Sequence, residues 1–373
     1  MTNLHPTKEN NTTAGVHLLT TSIFTTLLLL LCLQSTAIAK SKTTDRNGYL
    51  VVTDYIKNDG KTDLADAIQK LIDENPNRTI FFPDGVYLVS HPILTPADPK
   101  KSVSLRLANF ACIQAMGEWT EKEAVIRLGG KDAFNTIYVP GSNYSLSGGI
   151  IDGNNVANGV SIDSGRETRV EGVSIKRTVI GLHVKHGANS GSSDADIVDV
   201  NITGNGTEQS IGLLVEGFDN TFTNMRIADV NTGVWLKSAG NSLRNIHPLY
   251  IYRNTQKYET SCGFRVDFGS SWFYYCYSDQ MATGFHIGKN ARVHLTDCYC
   301  YWYRGDICPS QTAIECEGPF VGIATGFQAD FHKDCKNICL LKGEKGGNGK
   351  LLYPIRGKRK LSEYDISQEY IKE

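Results

Sequence analysis

The sequence predicts an all-β protein, a right-handed parallel β-helix (solenoid) with a short N-terminal capping helix. A five-residue phrase recurs seven times, each copy has the period of a short strand, and the steps between copies are 22, 31, 21, 30, 21 and 29 residues. A fixed phrase at such steps is typical of a stacked solenoid in which each repeat forms one coil. The phrases are Gly159–Asp163, Gly181–Lys185, Gly212–Glu216, Gly233–Lys237, Gly263–Asp267, Gly284–Gly288 and Ala313–Glu317.

Alternation with period two runs through every phrase. The first and third residues after the opening residue are apolar, and the second and fourth are mostly polar or charged. In a strand this pattern turns one pair inward and the other outward, and stacked strands lie about 4.8 Å apart. The outward residues therefore form two columns. The second-position column is Ser161, His183, Leu214, Trp235, Arg265, His286 and Glu315. The fourth-position column is Asp163, Lys185, Glu216, Lys237, Asp267, Gly288 and Glu317.

A short helix is predicted ahead of the repeats, over residues 63–73. Its apolar face consists of Leu64, Ile68, Leu71 and Ile72. Thr62 or Asp63 is placed to cap its first turn. Two strands follow, over residues 78–82 and 86–90. A helix in this place covers the open end of a solenoid, which otherwise exposes its core and an unpaired strand edge.

Two stretches of the sequence resemble a known family. Residues 58–63, 67–69 and 80–87 read Asn-Asp-Gly-Lys-Thr-Asp, Ala-Ile-Gln and Ile-Phe-Phe-Pro-Asp-Gly-Val-Tyr. They resemble the opening motif of the pectate-lyase-like right-handed β-helix superfamily, in the variant that rhamnogalacturonases and epimerase-like proteins share. Gly149–Asn154 is similar to the strand that precedes the central coils of polygalacturonase-type proteins. The resemblance covers residues 50 to about 342.

This resemblance implies the fold and a carbohydrate substrate, but not the reaction, because the superfamily holds hydrolases, lyases, epimerases, transferases and phage tailspikes. Within it, Asp59, Gly60 and Asp63 are expected to be turn and cap residues. Polygalacturonase relatives carry aspartates just before the repeat glycine. The residues in that place here are Asn158, Ile180, Ile211, Thr232, Cys262 and Thr283. None is acidic, so the active site is expected to be built differently.

Export is predicted from the apolar run over residues 17–39, which ends in Ala37-Ile38-Ala39. Such a run before a small-x-small site indicates a signal peptide, with a retained membrane anchor as the alternative. The predicted organisation is a signal peptide over residues 1–39, a β-helix domain over 40–342 and a C-terminal tail or cover over 343–373. The protein is expected to be secreted, periplasmic or on the cell surface, with no membrane contact after cleavage.

Composition narrows the partners and cofactors. The formal net charge of the 373 residues is −1, which gives no reason to expect a nucleic-acid partner. Eight of the ten cysteines lie between Cys262 and Cys339, and Cys276 and Cys298 are placed either to bridge or to stack as buried thiols. No histidine near them has the spacing of a zinc site, so no metal site is predicted. Whether copies of the chain associate into a homo-oligomer stays open.

Candidate catalytic residues gather on the outward columns of the fifth to seventh phrases. Glycoside hydrolysis usually needs two carboxyl groups, and Asp267 with Glu315 or Glu317 supplies them. Two coil steps separate Asp267 from Glu317 by about 9 to 10 Å, near the upper end of the range of inverting enzymes. His286 and Arg265 lie beside them. Crowding of like charges there is expected to move the carboxyl pKa values apart.

Five further residues of the columns are predicted to bind a poly- or oligosaccharide substrate: Trp235, His183, Lys185, Lys237 and Glu216. Trp235 is expected to stack on an apolar sugar face. Two other functions remain open. A polysaccharide lyase would use Lys185, Lys237 or Arg265 as base or neutralising cation, and only then would calcium, bound by Glu216 or Asp267, be a cofactor. A non-catalytic surface solenoid would bind glycans or serve as a structural scaffold. The aromatic residues at 272–275, 299 and 301–303 would bind the glycan in that case, but they are expected rather to pack as the core and flank of a second sheet.

Overall fold

The computed structural model describes residues 48–119, 123–136, 144–251, 258–304, 310–335, 337–353, 355–356 and 370–372. The predicted signal peptide lies outside the described residues. Within the described residues, no helix combines the length and the hydropathy needed to cross a bilayer.

The chain forms the predicted right-handed parallel β-helix, whose strands stack into three faces. Face A contains the repeated phrases. Its strands are Ile93–Pro96, Ala124–Lys131, Asn158–Ile162, Ile180–Val184, Ile211–Val215, Thr232–Leu236, the first half of Cys262–Tyr274, the first half of Thr283–Thr296, Ser310–Pro319 and Asn337–Glu344.

Faces B and C complete each coil. Face B consists of Tyr49–Val51, Thr79–Phe82, Ser104–Leu107, Ser145–Ser147, Arg169–Glu171, Asp196–Val198, the first halves of Thr221–Ala228 and Asn241–Leu249, the second halves of the two long face A strands, Gly322–Thr325, Lys350–Leu352 and Ile371–Lys372. Face C consists of Gly85–Val89, Ala111–Ala115, Ile150–Asp152, Ser174–Thr178, Asn201–Gly204, the second halves of Thr221–Ala228 and Asn241–Leu249, Tyr277–Asp279, Tyr299–Tyr301, Gln328–Asp330 and Ile355–Arg356.

A small ribbon of three strands stands apart from these faces. It is formed by Ser164–Arg166, His186–Gly187 and Ser190–Ser193. Because His186 directly follows Lys185, the ribbon adjoins the fourth-position column of face A. Past residue 343 the chain still contributes strands to face B, where Lys350–Leu352 pairs with Gly322–Thr325.

The predicted capping helix is confirmed and spans Ala65–Asp73. Ala65, Ile68, Leu71 and Ile72 are its buried residues. The N-cap residue is Leu64 and no side chain caps the helix, so the prediction that Thr62 or Asp63 caps it is wrong. The Asp63 carboxylate, one residue earlier, accepts a hydrogen bond from the Ala65 N–H at 3.0 Å. Asp59 accepts bonds from the N–H groups of Thr62 and Lys61, which lower the pKa of Asp59 to about 2. Both aspartates therefore stabilise the chain before the first coil, in agreement with their predicted structural role.

Close approach between neighbouring coils explains the glycine that opens the phrase. A Cβ atom on Gly212 would lie 2.6 Å from the Gly233 carbonyl oxygen and 2.2 Å from the Ile227 side chain. Real Cβ atoms do not approach other atoms so closely, because van der Waals repulsion rises steeply. Gly181 and Gly263 meet the next coil in the same way, at 2.6 and 2.7 Å from its carbonyl oxygen. The repeated glycine is thus a packing requirement of the stack.

The inward residues of the phrases form continuous apolar ladders. Phe264 and Phe285 on neighbouring coils stack with ring centroids 4.6 Å apart. Each fully buried side chain of this size contributes about 1.5–3 kcal/mol to stability. The cysteines belong to this interior: Cys276 and Cys298 are buried free thiols, so the alternative of a bridge between them is wrong and the buried stack is confirmed. Burial raises the pKa of Cys316, also inward, to about 12.

Candidate functional site

The predicted second-position column is confirmed by the pairing of the face A strands. Each residue lies directly beside its counterpart on the next coil, and the column is one residue longer at each end than the phrases predict. In order along the axis it is Arg127, Ser161, His183, Leu214, Trp235, Arg265, His286, Glu315 and Lys342. We call this column, together with the fourth-position residues and Glu123, the stripe.

His286 lies between two carboxylates of the next coil. Its Nε2 is 3.1 Å from Glu317 Oε1, and its Nδ1 is 3.6 Å from Glu315 Oε2. The Glu315 carboxylate, followed by that of Glu317, raises the pKa of His286, although burial opposes the shift. Lys342 donates to Glu315 at 2.7 Å. His286 and then Lys342 lower the pKa of Glu315 to about 2. The two anions therefore favour the protonated form of the imidazole.

Asp267 is bound by two donors from the neighbouring part of the stripe. Arg265 Nε donates to Asp267 Oδ1 at 2.8 Å, and Trp235 Nε1 donates to Asp267 Oδ2 at 2.8 Å. The Arg265 guanidinium and the Lys237 ammonium also lie over the Trp235 ring, 4.4 and 5.1 Å from its centroid. These cation–π contacts use the ring surface that a sugar would need. Stacking of Trp235 on a substrate stays a prediction, and it requires the cations to move.

Glu216 joins two of the predicted substrate-binding residues. His183 Nε2 is 3.0 Å from Glu216 Oε2, and Lys237 Nζ is 2.9 Å from Glu216 Oε1. His183 and then Lys237 lower the pKa of Glu216 to about 2. The Glu216 carboxylate is thus ionised over the whole physiological pH range, and its contacts with His183 and Lys237 hold both side chains in position.

Asp163 is the most deeply buried carboxylate of the stripe, with a side chain 2% exposed. Burial alone would raise the pKa of Asp163, but Lys185, Ser161 and Arg127 outweigh it and lower the value. Lys185 Nζ lies 3.1 Å from the carboxylate, and Arg127 Nε donates to it at 2.8 Å. Removing one cation would leave a buried charge poorly compensated, which is strongly destabilising.

The stripe is therefore a network of ion pairs in which anions and cations alternate. The expectation that like charges move the carboxyl pKa values apart is wrong for Glu315, since its nearest charged neighbours are His286 and Lys342. A cation on the adjacent coil favours the ionised carboxylate. Within this network Asp267 and Glu317 are separated along the fourth-position column by Gly288, which has no side chain. No side chain of that column fills the space between the two carboxylates.

A cavity of about 620 Å³ adjoins the stripe at its second and third coils. It is lined by Asn135, Arg166, His186, Ser193, Asp194, Phe218 and Asp219. Arg166 pairs with Asp194 at 2.6 Å, and the His186 ring meets the edge of Phe218 at 5.0 Å. The cavity lies beside the ribbon and close to Lys185, so it provides a second place where a ligand could contact the stripe.

Sequence reasoning missed Arg127, Glu123 and Lys342. Arg127 and Lys342 lie on face A strands that lack the opening glycine, so the repeated phrase gave no signal for them. Ile126-Arg127-Leu128 keeps the apolar–charged–apolar order of the phrases and is the signal that remains, whereas Cys339-Leu340-Leu341-Lys342 lacks it. The cavity was missed because its residues come from the ribbon and loops outside the phrases.

Metal binding finds no support in the part of the chain that the structure describes. There, no three His, Cys, Asp or Glu residues are grouped so as to hold an ion. The expectation that calcium accompanies only a lyase is untested and stays a prediction.

Comparison with protein families gives one match over residues 49–286, to the family described as "Rhamnogalacturonase A/epimerase, pectate lyase-like". This range covers the capping helix, the first five phrases and the first three residues of the sixth, and it agrees with the resemblance seen in the sequence. A search of curated protein sequences finds no match.

Several solved structures share the fold. An alginate lyase from Paenibacillus sp. str. FPU-7 superposes with a TM-score of 0.53 at 14% identity, over 75% of this chain and 96% of that one. The surface protein and adhesin PfbA of Streptococcus pneumoniae gives 0.53 at 13% identity, over 83% and 96%. The tailspike gp42 of Acinetobacter phage vb_AbaP_AS12 gives 0.56 at 9% identity, over 87% and 66%. At these sequence identities the similarity shows a common β-helix fold. The reaction has to be inferred from the residues of the candidate site.

Proposed function

Because the chain belongs to the rhamnogalacturonase A/epimerase, pectate lyase-like family, we propose that it is a carbohydrate-active enzyme that hydrolyses a poly- or oligosaccharide on face A. The observation that carries this proposal is the position of His286, 3.1 Å from Glu317 and one strand away from Arg265, whose guanidinium binds Asp267. A proton donor and a proton acceptor thus stand on opposite sides of a gap in the fourth-position column.

The His286–Glu317 pair is the proposed proton donor. The neighbouring carboxylates raise the pKa of His286 and so favour its protonated form. Glu317, with a side chain 44% exposed, reaches the solvent side of this pair. Because His286 Nε2 lies 3.1 Å from Glu317 Oε1, a proton on the imidazole is within hydrogen-bond reach of this carboxylate. Glu315 is excluded as donor, since its pKa is lowered to about 2 and it is ionised at any working pH.

Asp267 is the proposed base. Trp235 and Arg265 each donate to one of its oxygens, which fixes the carboxylate in one orientation. The strands of Asp267 and Glu317 are two steps apart on face A, or about 9.5 Å, which leaves room for water as in inverting enzymes. In the reaction, the water oxygen bonds to the anomeric carbon as the bond between that carbon and the glycosidic oxygen breaks. Asp267 takes one proton of the water, and the His286–Glu317 pair protonates the leaving oxygen.

The lysines of the stripe favour hydrolysis over elimination. A lyase needs a base that takes a proton next to a uronic carboxylate, and a lysine serves only when it has lost its charge. Lys185 lies 3.1 Å from Asp163 and Lys237 lies 2.9 Å from Glu216. Deprotonating either would remove the partner of a carboxylate. These lysines are better placed to orient sugar hydroxyls than to act as bases.

Secretion or display on the cell surface is part of the proposal. It rests on the apolar run before Lys40 and on the fold shared with a pneumococcal surface adhesin and a phage tailspike. We propose that the mature chain starts near Lys40 and that residues 40–342 form the β-helix domain. Residues 343–373, whose described strands Lys350–Leu352, Ile355–Arg356 and Ile371–Lys372 continue faces B and C, would then close its C-terminal end.

A glycan panel tests the reaction. The chain from residue 40 to 373 is incubated with neutral and uronic-acid polysaccharides, and the products are measured both as new reducing ends and as ultraviolet absorbance of unsaturated sugars. Reducing ends without unsaturation support hydrolysis. Unsaturated products would show a lyase. Binding of a glycan without cleavage of any member of the panel would show a binding protein. Either result contradicts the proposal.

A further inference from the structure

Five tyrosines form a continuous surface on face C, which we call the tyrosine patch: Tyr275, Tyr277, Tyr299, Tyr301 and Tyr303. Neighbouring rings in this chain are 5.9–6.3 Å apart between centroids. Tyr277 and Tyr299 lie directly beside each other on adjacent coils. Tyr275 is 61% exposed and Tyr303 47% exposed.

The patch is not part of the core. The same segments have separate inward residues, because Phe273, Cys300 and Trp302 are buried. Trp302 stacks on Phe331 at 4.4 Å and donates its indole N–H to Met281 O, so the interior is complete without the tyrosines. In a strand that alternates in this way, the aromatic residues on the outer face do not contribute to the packing of the core. The phenol rings are therefore available to something outside the protein.

Polar groups surround the rings. Tyr299 donates its hydroxyl to Asp330 at 3.2 Å, and Asp279 lies next to Tyr301 in the strand pairing. His247 stacks on Tyr277 with centroids 3.7 Å apart. His247 Nε2 lies 3.5 Å from Asp279 Oδ2, so the imidazole and this carboxylate pair with each other. Phenol hydroxyls and the Asp330 carboxylate are the polar groups that border the rings, and a sugar can stack its C–H face on such a surface while its hydroxyls bond to them.

We infer that the tyrosine patch is a second glycan-binding surface, specific for a neutral polysaccharide chain and separate from the cleavage site on face A. The two exposed rings, Tyr275 and Tyr303, lie at the two ends of the patch, so a chain of several sugars can stack on both of them. Asp279 is paired with His247, but the Asp330 carboxylate beside Tyr299 would repel an anionic chain. The charge of the patch therefore selects against uronic-acid polymers.

This inference goes beyond the proposed function. The charged side chains of the stripe pair with one another, and its indole, Trp235, is covered by two cations. The tyrosine patch has exposed rings instead, and it lies on a different face of the same coils. A surface of this kind would hold an insoluble or long polymer against the protein while the other face works on a chain or branch.

Direct binding tests the inference without relying on cleavage. Cellohexaose, xylohexaose and mannohexaose are titrated calorimetrically into the chain carrying Asp267→Asn, which prevents turnover, and hexamers of galacturonate and mannuronate serve as anionic probes. We expect at least one neutral hexamer to bind and both anionic hexamers to bind more weakly. If none of the neutral hexamers binds, the inference is overturned.

Variants locate the binding. Tyr275→Ala with Tyr303→Ala should weaken the binding of the neutral hexamer by about tenfold or more, since each stacked ring contributes beyond its buried area. Tyr275→Phe with Tyr303→Phe keeps the rings and should restore most of the affinity. Tyr353→Ala removes a tyrosine that is 70% exposed at the end of a face B strand and is the matched control.

Two outcomes would contradict the assignment. Unchanged hexamer affinity in the double alanine variant would place the glycan elsewhere. Sedimentation that shows a dimer of the parent chain and a monomer of the variant would show instead that the patch binds a second copy. Thermal unfolding of all variants separates either result from a loss of fold.

Discussion

The indole N–H of Trp235 donates a 2.8 Å hydrogen bond to the carboxylate of Asp267, which lies on the next coil. Arg265, directly beside Trp235 in the strand pairing, donates to the other oxygen of the same carboxylate at 2.8 Å. Asp267 is thus held by two donors from two coils, while the Arg265 guanidinium also lies over the indole ring. This arrangement fixes the one carboxylate to which the proposed mechanism assigns the activation of water.

Replacing Trp235 by Phe tests that relationship. The ring remains for Arg265, but Asp267 loses one donor, so we expect the free energy of unfolding to fall by about 1–2 kcal/mol, near the lower end for bonds to charged groups. Turnover should fall as the carboxylate gains freedom. Urea denaturation and kcat give the two values. Trp272→Phe, on face B against His294, is the control and should leave turnover unchanged.

Asp267→Asn and Glu317→Gln should each reduce turnover by about a hundredfold or more, the size of a general acid or base contribution. Both substitutions keep the shape of the side chain and remove its charge. Glu171→Gln is the matched control, because Glu171 pairs with Arg169 on face B at 2.8 Å. The readout is the rate of new reducing ends under conditions where all variants are folded.

A different pattern would move the site. If Asp267→Asn and Glu317→Gln retain turnover whereas His183→Gln or Lys185→Met abolishes it, catalysis belongs to the second and third coils. The cavity of about 620 Å³ beside Lys185 would then be the substrate pocket.

Acid should destabilise the fold through Glu216 and Glu315. Both have pKa values lowered to about 2 from an ordinary value of 4.5. A lowered pKa in the folded state contributes stability above the unfolded value, and that contribution is lost as pH falls through the folded value. We therefore expect the free energy of unfolding to decline between about pH 4.5 and 2. Urea denaturation across this range measures the decline.

The double variant Glu216→Gln with Glu315→Gln supplies the control for the acid experiment. It should be less stable than the parent at pH 7, and its free energy of unfolding should vary less between pH 4.5 and 2. An equally steep decline in the variant would show that other carboxylates dominate.

Gly212→Ala should destabilise the solenoid by about 1–3 kcal/mol, the usual cost of overpacking. Its Cβ atom would lie 2.2 Å from Ile227 and 2.6 Å from the carbonyl oxygen of the next coil. Gly187→Ala is the control, because the nearest atom to its Cβ would be 3.6 Å away. Thermal or urea unfolding measures the stability of both variants. Equal stability of the two would contradict the explanation that packing requires the repeated glycine.

Much of the site geometry followed from local pattern. Because the phrase has period two and recurs once per coil, it fixed that His183, Trp235, Arg265 and His286 share one outward column, and the strand register bears this out. The same reasoning could not place Arg127 or Lys342, whose strands lack the glycine. It also failed for the charge state of Glu315, which depends on Lys342 reaching back one coil to within 2.7 Å.

The sequence by itself determined the β-helix, its capping helix, the inward ladders and the order of residues along face A, because each depends on a periodicity of two residues or of one coil. The tertiary structure alone decided which charges pair, that the indole of Trp235 is covered by cations, and that the tyrosines of face C form one surface. Those outcomes depend on side-chain rotamers and on the distances between residues of neighbouring coils, which are 20 to 30 residues apart in the chain. A difference of a few ångströms in such a distance changes the pKa of a carboxylate. No local sequence pattern encodes these distances.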